Sequence, residues 1–278
     1  MAAAGAPRGD SMKSTGMEAI RYEVSDGVAT LTLNRPAQRN ALDAVMRDEI
    51  AEAIAEVRRD RGIRALVLAG SGGAFCAGGD LRSMDTGGDA EVARNRMADL
   101  HLWLEGLLTL DRPVIAAVDG PAYGAGFGLA LAADIIIASP RARFCLSFLR
   151  LGLIPDCGVF YTLPRMVGMQ RARELIFSAR ELGAEQARDW GIVLEIQPED
   201  CIDARARELA QSFVQASPTA VSLIKNALNA SLGSDLRTML EMEATGQGLA
   251  RSTDYHRSAV ARFLAREPLP FHWPQAGG

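Results

Sequence analysis

The chain has 278 residues, 48% hydrophobic and 23% charged, with a formal net charge of −4. That length can bury a sizeable core as one large domain or two, and the composition is that of an ordinary globular protein. The acidic balance gives no reason to expect nucleic acid or an anionic membrane as partner, and nearly all basic residues are Arg, with Lys only at 13 and 225.

Four cysteines (Cys76, Cys145, Cys157, Cys201) lack any CxxC pair or regular spacing, which argues against a disulfide framework or a zinc site. A reducing compartment fits, with the cytoplasm as default. No apolar run reaches membrane-spanning length. Residues 1–16 are small, polar and glycine-bearing, without a secretory pattern, and are expected to be a disordered tail.

In chain order, Ile20–Val24 and Val28–Leu33 alternate around Asp26-Gly27 and predict a β-hairpin. Asp43 is a good N-cap for an amphipathic helix to about Arg59, with Val45, Ile50, Ile54 and Val57 on one face. Arg64–Ala69 reads as a buried strand opening into a glycine-rich loop, 70–80. Residues 83–89 are expected to be a polar, mobile loop, followed by a helix to about Leu110. Val114–Val118 is a short β-branched strand ending in Asp119-Gly120-Pro121, and Gly124, Gly126 and Gly128 then alternate into a helix-friendly run. Further strands are expected at Asp134–Ala138, Ala142–Leu146 and Ile192–Ile196. Helices are expected at about 158–166, 168–178 and 184–189. From Glu199 onward the pattern is helical, broken at Ser217-Pro218 and Gly233-Ser234. Strand–helix repeats followed by helices predict an α/β body with a helical C-terminal portion.

Two strands thus open into glycine loops ahead of helices. The first loop has no Gly-Lys-Ser/Thr, and the second has GxGxG where a dinucleotide site needs GxGxxG. A helix N-terminus offers unpaired amides at the positive end of its dipole. One N–H from each loop, converging on one oxygen, would form an oxyanion hole.

The segments Asn34-Arg35-Pro36…Asn40-Ala41-Leu42, Ala74-Phe75-Cys76-Ala77-Gly78-Gly79-Asp80-Leu81, Asp119-Gly120-Pro121-Ala122-Tyr123-Gly124-Ala125-Gly126 and Gly152-Leu153-Ile154-Pro155-Asp156 together resemble the enoyl-CoA hydratase/isomerase (crotonase) superfamily. The resemblance runs from about Arg21 to Phe271. It implies a crotonase-like spiral of ββα units carrying the active site over 17–210, and a helical region, 211–278, that builds a homotrimer or a dimer of trimers and covers CoA. It implies an acyl-CoA thioester as substrate, its carbonyl oxygen held by the amides of Gly79 and Ala125, with no metal or redox cofactor. Arg39, Asn40, Cys76, Ala77, Gly78, Asp80, Leu81 and Gly124 would line the CoA site. Phe263 and Arg266 resemble tail residues that cover CoA, from a neighbouring subunit if not from their own.

The family's hydratases activate water with two glutamates, whose positions fall on Gly128 and Phe148 here. Asp156 is the remaining candidate base and resembles the isomerase branch, including the 1,2-epoxyphenylacetyl-CoA isomerase group, in which one carboxylate moves a proton. Phe148, Leu151 and Phe160 are expected as apolar walls that raise its pKa. Asp156 can alternatively cap the following helix, and Asp80 is read mainly as a tie for the first loop. Three other readings stand beside the isomerase. One is a hydratase working with one carboxylate. Another is a dehalogenase-like enzyme with Asp156 as nucleophile and His101 as a loose candidate for activating water. The third is a non-catalytic acyl-CoA-binding oligomer.

Overall fold

The computed structural model describes residues 16–83 and 89–275. The expected N-terminal tail, apart from Gly16, and residues 84–88 of the expected mobile loop lie outside the described residues.

The hairpin forms as β1 (Ile20–Ser25) and β2 (Val28–Leu33), joined by Asp26 and Gly27 at positive φ. Helix α1 (Ala44–Arg59) is capped by Asp43, whose carboxylate accepts from Met46 N at 2.9 Å. Its buried face is Met46, Ile50, Ala53, Ile54 and Val57, while Val45, expected inside, is exposed. At 100° per residue the buried residues fall within one arc of about 100°, and Val45 lies well outside it. Strand β3 (Ala65–Gly70), helix α2 (Ala90–Leu108) and strand β4 (Val114–Val118) follow.

After β4 the chain places a second strand, β5 (Pro121–Tyr123), before helix α3 (Ala125–Leu131), and then β6 (Ile135–Ala138) and β7 (Arg143–Cys145). Helix α4 (Val159–Ser178) breaks its helical dihedrals at Gly168, where two separate helices were expected. It is followed by β8 (Glu181–Gly183), α5 (Ala184–Asp189) and β9 (Glu195–Ile196). Strands β1-β2-β3-β4-β6-β9 make a six-stranded sheet, parallel except for the hairpin, and β5-β7-β8 make a small second sheet. Successive turns of chain feed both layers: β4 then β5, β6 then β7. Isolated bridges Leu42↔Gly79 and Cys76↔Ala122 extend the same stitching to the site loops.

Helix α6 (Ile202–Val214) packs Ile202, Ala206, Leu209 and Ala210 against one face of the large sheet. The expected domain boundary at 210 therefore falls inside a helix of the body. The chain leaves the body at Ser217-Pro218, where α7 (Pro218–Ser231) starts with a serine cap and a first-turn proline. Helices α8 (Leu236–Arg251) and α9 (Asp254–Leu264) follow, separated by a break at Ser252-Thr253 that the sequence reading did not anticipate. Helix α7 is pinned to the sheet by Lys225, whose Nζ lies 2.6 Å from Asp134 Oδ2 and donates to Arg112 O. Neither α8 nor α9 buries a residue, and Leu236, Phe263 and Leu264 are each at least 70% exposed.

Candidate active site

Three segments lie side by side between β2, β3 and α3. Ala77 N donates to Arg39 O at 2.9 Å, Leu42 N to Gly78 O at 2.8 Å, and Asp80 N to Leu42 O at 3.0 Å. On the other side Cys76 N donates to Pro121 O at 3.0 Å and Tyr123 N to Cys76 O at 2.8 Å. In this parallel bridge Leu42 bonds to the peptides on either side of Gly79 rather than to Gly79 itself. The Gly79 N–H is therefore turned away from Leu42. Ala125 is the first residue of α3, and its N–H has no intrahelical acceptor. Among the described residues no backbone carbonyl accepts from either amide.

The two loops meet closely. A Cβ on Gly78 would stand 2.8 Å from Tyr123 O and 3.5 Å from Ala125 N, and its φ of +96° favours glycine as well. A Cβ on Gly126 would stand 2.3 Å from Cys76 O. The glycines thus let the first loop and the N-terminus of α3 approach, and two unpaired amides result at that junction.

Side chains lock the first loop in place. Asn40 is fully buried at φ +58°; its Oδ1 accepts from Arg35 N, and its Nδ2 donates to Ser71 O and Ala74 O. Its side chain is thereby engaged in holding the loops. Arg35 binds Asp80 and Asp43, both at 3.1 Å, and donates to Ala41 O at 2.6 Å. Asp80 also accepts from Arg82 N, so its tie-down reading matches the structure. Arg39 and Leu81 are exposed at the edge of this ledge, Cys76 is buried beneath it, and Gly124 N donates to Cys145 O.

Asp156 follows buried Pro155 in a turn where Cys157 (φ +48°) and Gly158 (φ +71°) are both left-handed. Gly158 holds the cap position of α4, where no side-chain cap bond forms; the expected alternative role of Asp156 as cap is not realised. Among the described residues its Oδ1, a buried oxygen, has no hydrogen-bond partner. Burial pushes the carboxyl above the ordinary aspartate range, opposed by the Cys157 thiol, its own backbone amide, His101 and Arg47. A Cβ on Gly128 would lie 2.5 Å from Cys157 Cβ, so α3 touches this turn as it touches the first loop. Phe148 is buried with its ring tip 3.7 Å from the Cβ position of Gly124, whereas Leu151 and Phe160, expected as walls beside it, are exposed.

The contact of Cys157 with α3 was not read from the sequence. Gly128 was the available signal, because glycine inside a helix costs about 1 kcal/mol and marks close approach. Asp111 is paired with Arg112 and Arg61, which hold its carboxyl below the usual range against the effect of burial. Phe263 and Arg266 lie at the exposed end of α9. Among the described residues no hydrogen bond, ion pair or ring contact joins either one to the site loops.

The Enoyl-CoA hydratase/isomerase family matches residues 23–276. The chain belongs to that family. It is 40% identical over 259 residues to 1,2-epoxyphenylacetyl-CoA isomerase from Escherichia coli, covering 92% of this chain and 98% of that protein. It is also 40% identical to a probable enoyl-CoA hydratase from Rhodobacter capsulatus, over 91% and 97% of the two chains. A solved enoyl-CoA hydratase/isomerase from Cupriavidus metallidurans superposes with a TM-score of 0.89 at 46% identity, over 95% of this chain and all of that one. The mixed α/β body is accordingly the crotonase fold. Among the described residues no helix is long and apolar enough to cross a membrane.

Proposed function

We propose that this enzyme is an acyl-CoA isomerase that moves a proton along an unsaturated or related acyl thioester, with Asp156 as the single shuttle base. The observation that carries the reading is the buried, unpartnered Oδ1 of Asp156 on a turn that contacts α3, the helix whose first amide is unpaired. Removing a proton α or γ to the thioester leaves an enolate, with charge on the carbonyl oxygen. Amides of Gly79 and Ala125 fixed at that oxygen lower the barrier without reorganising, and one such donor is worth about 10²–10³ in rate. The base gains basicity from burial and then returns the proton to another carbon.

The two positions where the family's hydratases carry glutamates hold Gly128 and Phe148, neither of which can activate water. Isomerisation needs no activated water, which favours it over hydration. CoA enters as part of the substrate, and the reaction requires no metal or redox cofactor. The unburied apolar faces of α8 and α9 support assembly into a homotrimer or dimer of trimers, with Phe263 and Arg266 brought to a neighbour's CoA. Four free cysteines suit a reducing cytoplasm.

The test is Asp156→Asn assayed on 3-butenoyl-CoA for conversion to the conjugated isomer. Turnover should fall about 10²–10⁴-fold, the range of a general base, with thioester binding changed only a few-fold. Undiminished turnover would sink the reading. His101 lies within electrostatic reach of Asp156, which favours a second reading, with Asp156 as nucleophile, and an acyl or aryl ester trapped on Asp156 would select it.

A further inference from the structure

The amide of Ala125 belongs to the peptide that follows Gly124, so its direction is set by the dihedrals on either side of that peptide. Gly124 restrains them weakly. It sits at φ +51° and ψ −122°, a region that glycine enters freely, and a Cβ added there would meet nothing closer than 3.7 Å. At Gly126 and Gly128, by contrast, the neighbouring turns press on the chain at 2.3 and 2.5 Å. The residue before the proposed oxyanion donor is thus the least crowded of the three glycines, and its neighbours must hold it.

Tyr123 is held on three sides. Its N donates to Cys76 O at 2.8 Å, and its carbonyl oxygen lies 2.8 Å from where a Gly78 Cβ would stand. The third hold is on the small sheet. Tyr123 pairs with Cys145 on β7, and Cys145 pairs with Glu181 on β8, so the three residues form one row. Residues in a row project to the same side of a sheet. The Tyr123 hydroxyl reaches past buried Cys145 and donates to Glu181 Oε1, while Cys145 O accepts from Gly124 N at 2.8 Å. Among the described residues the Glu181 carboxylate makes no further hydrogen bond or salt bridge. Burial and then Glu181 push the Tyr123 hydroxyl up to about 12, so it keeps its proton and stays a donor.

We propose that Tyr123, clamped by Glu181 across the small sheet, is a positioning residue that holds the Gly124–Ala125 peptide with its N–H toward the thioester oxygen. The clamp gives the second sheet a task. Its strands are three residues each, yet they brace the chain where it turns into α3. The inference rests on the reading that the Ala125 amide receives the substrate carbonyl, and it does not involve Asp156.

The test uses the full chain, 3-butenoyl-CoA as substrate and butyryl-CoA, isotope-labelled at its carbonyl carbon, as binding probe. Hydrogen bonds to the thioester oxygen lower its infrared carbonyl stretch, so the label reads the amides directly. Tyr123→Phe should lower isomerisation kcat about three- to tenfold, with butyryl-CoA affinity within about twofold. Its bound carbonyl band should move back toward that of the free thioester. Glu181→Ala should do the same, and Glu181 is exposed, so that variant tests the clamp even where loss of the tyrosine hydroxyl lowers stability. The double variant should be no worse than either single, because each removes the same interaction. Glu181→Gln keeps an oxygen that accepts from the tyrosine and should retain most of kcat and the band position. Wild-type kcat and band in both single variants would overturn the proposal. So would a lowered kcat with an unmoved band, which a merely structural role would give, or additive losses in the double variant. Butyryl-CoA has no double bond to move, so the band is read without isomerisation. A wild type that isomerises nothing would sink the isomerase reading, while a band that still moves in Tyr123→Phe would uphold the clamp.

Discussion

Two turns lie against α3, each with one carboxylate, and the fold treats the two acids in opposite ways. In the first loop both oxygens of Asp80 are engaged, one by Arg35 and one by Arg82 N, and Arg35 is shared with Asp43. In the 155–158 turn, Asp156 keeps a buried oxygen with no partner and is pushed up by desolvation. Burial alone does not separate them, since neither residue is exposed. Hydrogen-bond satisfaction does: the satisfied acid fastens the peptide beside it, which is that of Gly79, and the unsatisfied acid is the one to which the proposed isomerisation assigns the proton.

Both turns contact α3 through a glycine, Gly126 under Cys76 and Gly128 under Cys157, and the comparison breaks hardest at that shared support. Gly126→Ala would put a methyl 2.3 Å from a carbonyl oxygen and 2.6 Å from Cys76 Cβ. Neither atom is the end of a flexible chain, so the first loop must move. The expected cost is about 3 kcal/mol or more, at the upper end of overpacking, with turnover lost, read by denaturant melts and the 3-butenoyl-CoA assay. A stable, active Gly126→Ala enzyme would show that the ledge tolerates displacement.

Next in size is Asn40→Ala, which strips the first loop of its cross-ties. It leaves Arg35 N, Ser71 O and Ala74 O without a partner, at about 1–3 kcal/mol for each buried group left unsatisfied. The loss should appear chiefly as a lowered unfolding midpoint, and an unchanged midpoint would mean that water replaces the amide.

Asn40 also shows where the sequence stops being legible. Its left-handed φ suits Asn, yet its three partners lie up to 34 residues away, and no local pattern reveals which carbonyls it will meet. The hairpin, the α1 cap, the central strand and the glycine-loop-to-helix junctions were readable, because periodicity and cap chemistry are local. Strands β5 and β8 were not: three residues carry no period, and β5 begins with proline. The amides of Gly79 and Ala125 could be named from the motifs, but the contact between Gly128 and Cys157 joins residues 29 positions apart, and only the folded chain brings it about.

Arg35→Met sharpens the comparison from the fastened side. It removes the Arg35 pairing from Asp80 and Asp43, which are about a fifth exposed or less and keep their bonds from Arg82 N and Met46 N, so stability should fall by only about 1–2 kcal/mol. The informative readout is kinetic. Loosening the peptide beside Asp80 should lower kcat several-fold with little change in butyryl-CoA binding, because the Gly79 amide matters most once charge reaches the oxygen. A variant that raised KM alone would place Arg35 in substrate binding instead.

The smallest effect should come from stability at the unfastened acid. The folded-state pKa of Asp156 is raised by burial, so the folded chain holds this proton more tightly than the unfolded chain does. Its contribution is therefore most favourable below the ordinary aspartate pKa and is lost as pH rises through the raised value. At neutral pH the native enzyme must either desolvate the Asp156 charge or hold a proton that the unfolded chain has released, a cost that Asp156→Asn lacks. That variant should melt above wild type near neutrality, and the difference should shrink as the pH falls into the range where aspartate protonates in the unfolded chain. The matching change at Asp80, Asp80→Asn, weakens the pair with Arg35 and should lower the melting point at neutral pH. Two conservative changes of one carboxylate each would then move stability in opposite directions. If both lowered it, the Asp156 carboxylate must be satisfied in solution, and its claim to be the reactive acid would lose its physical basis.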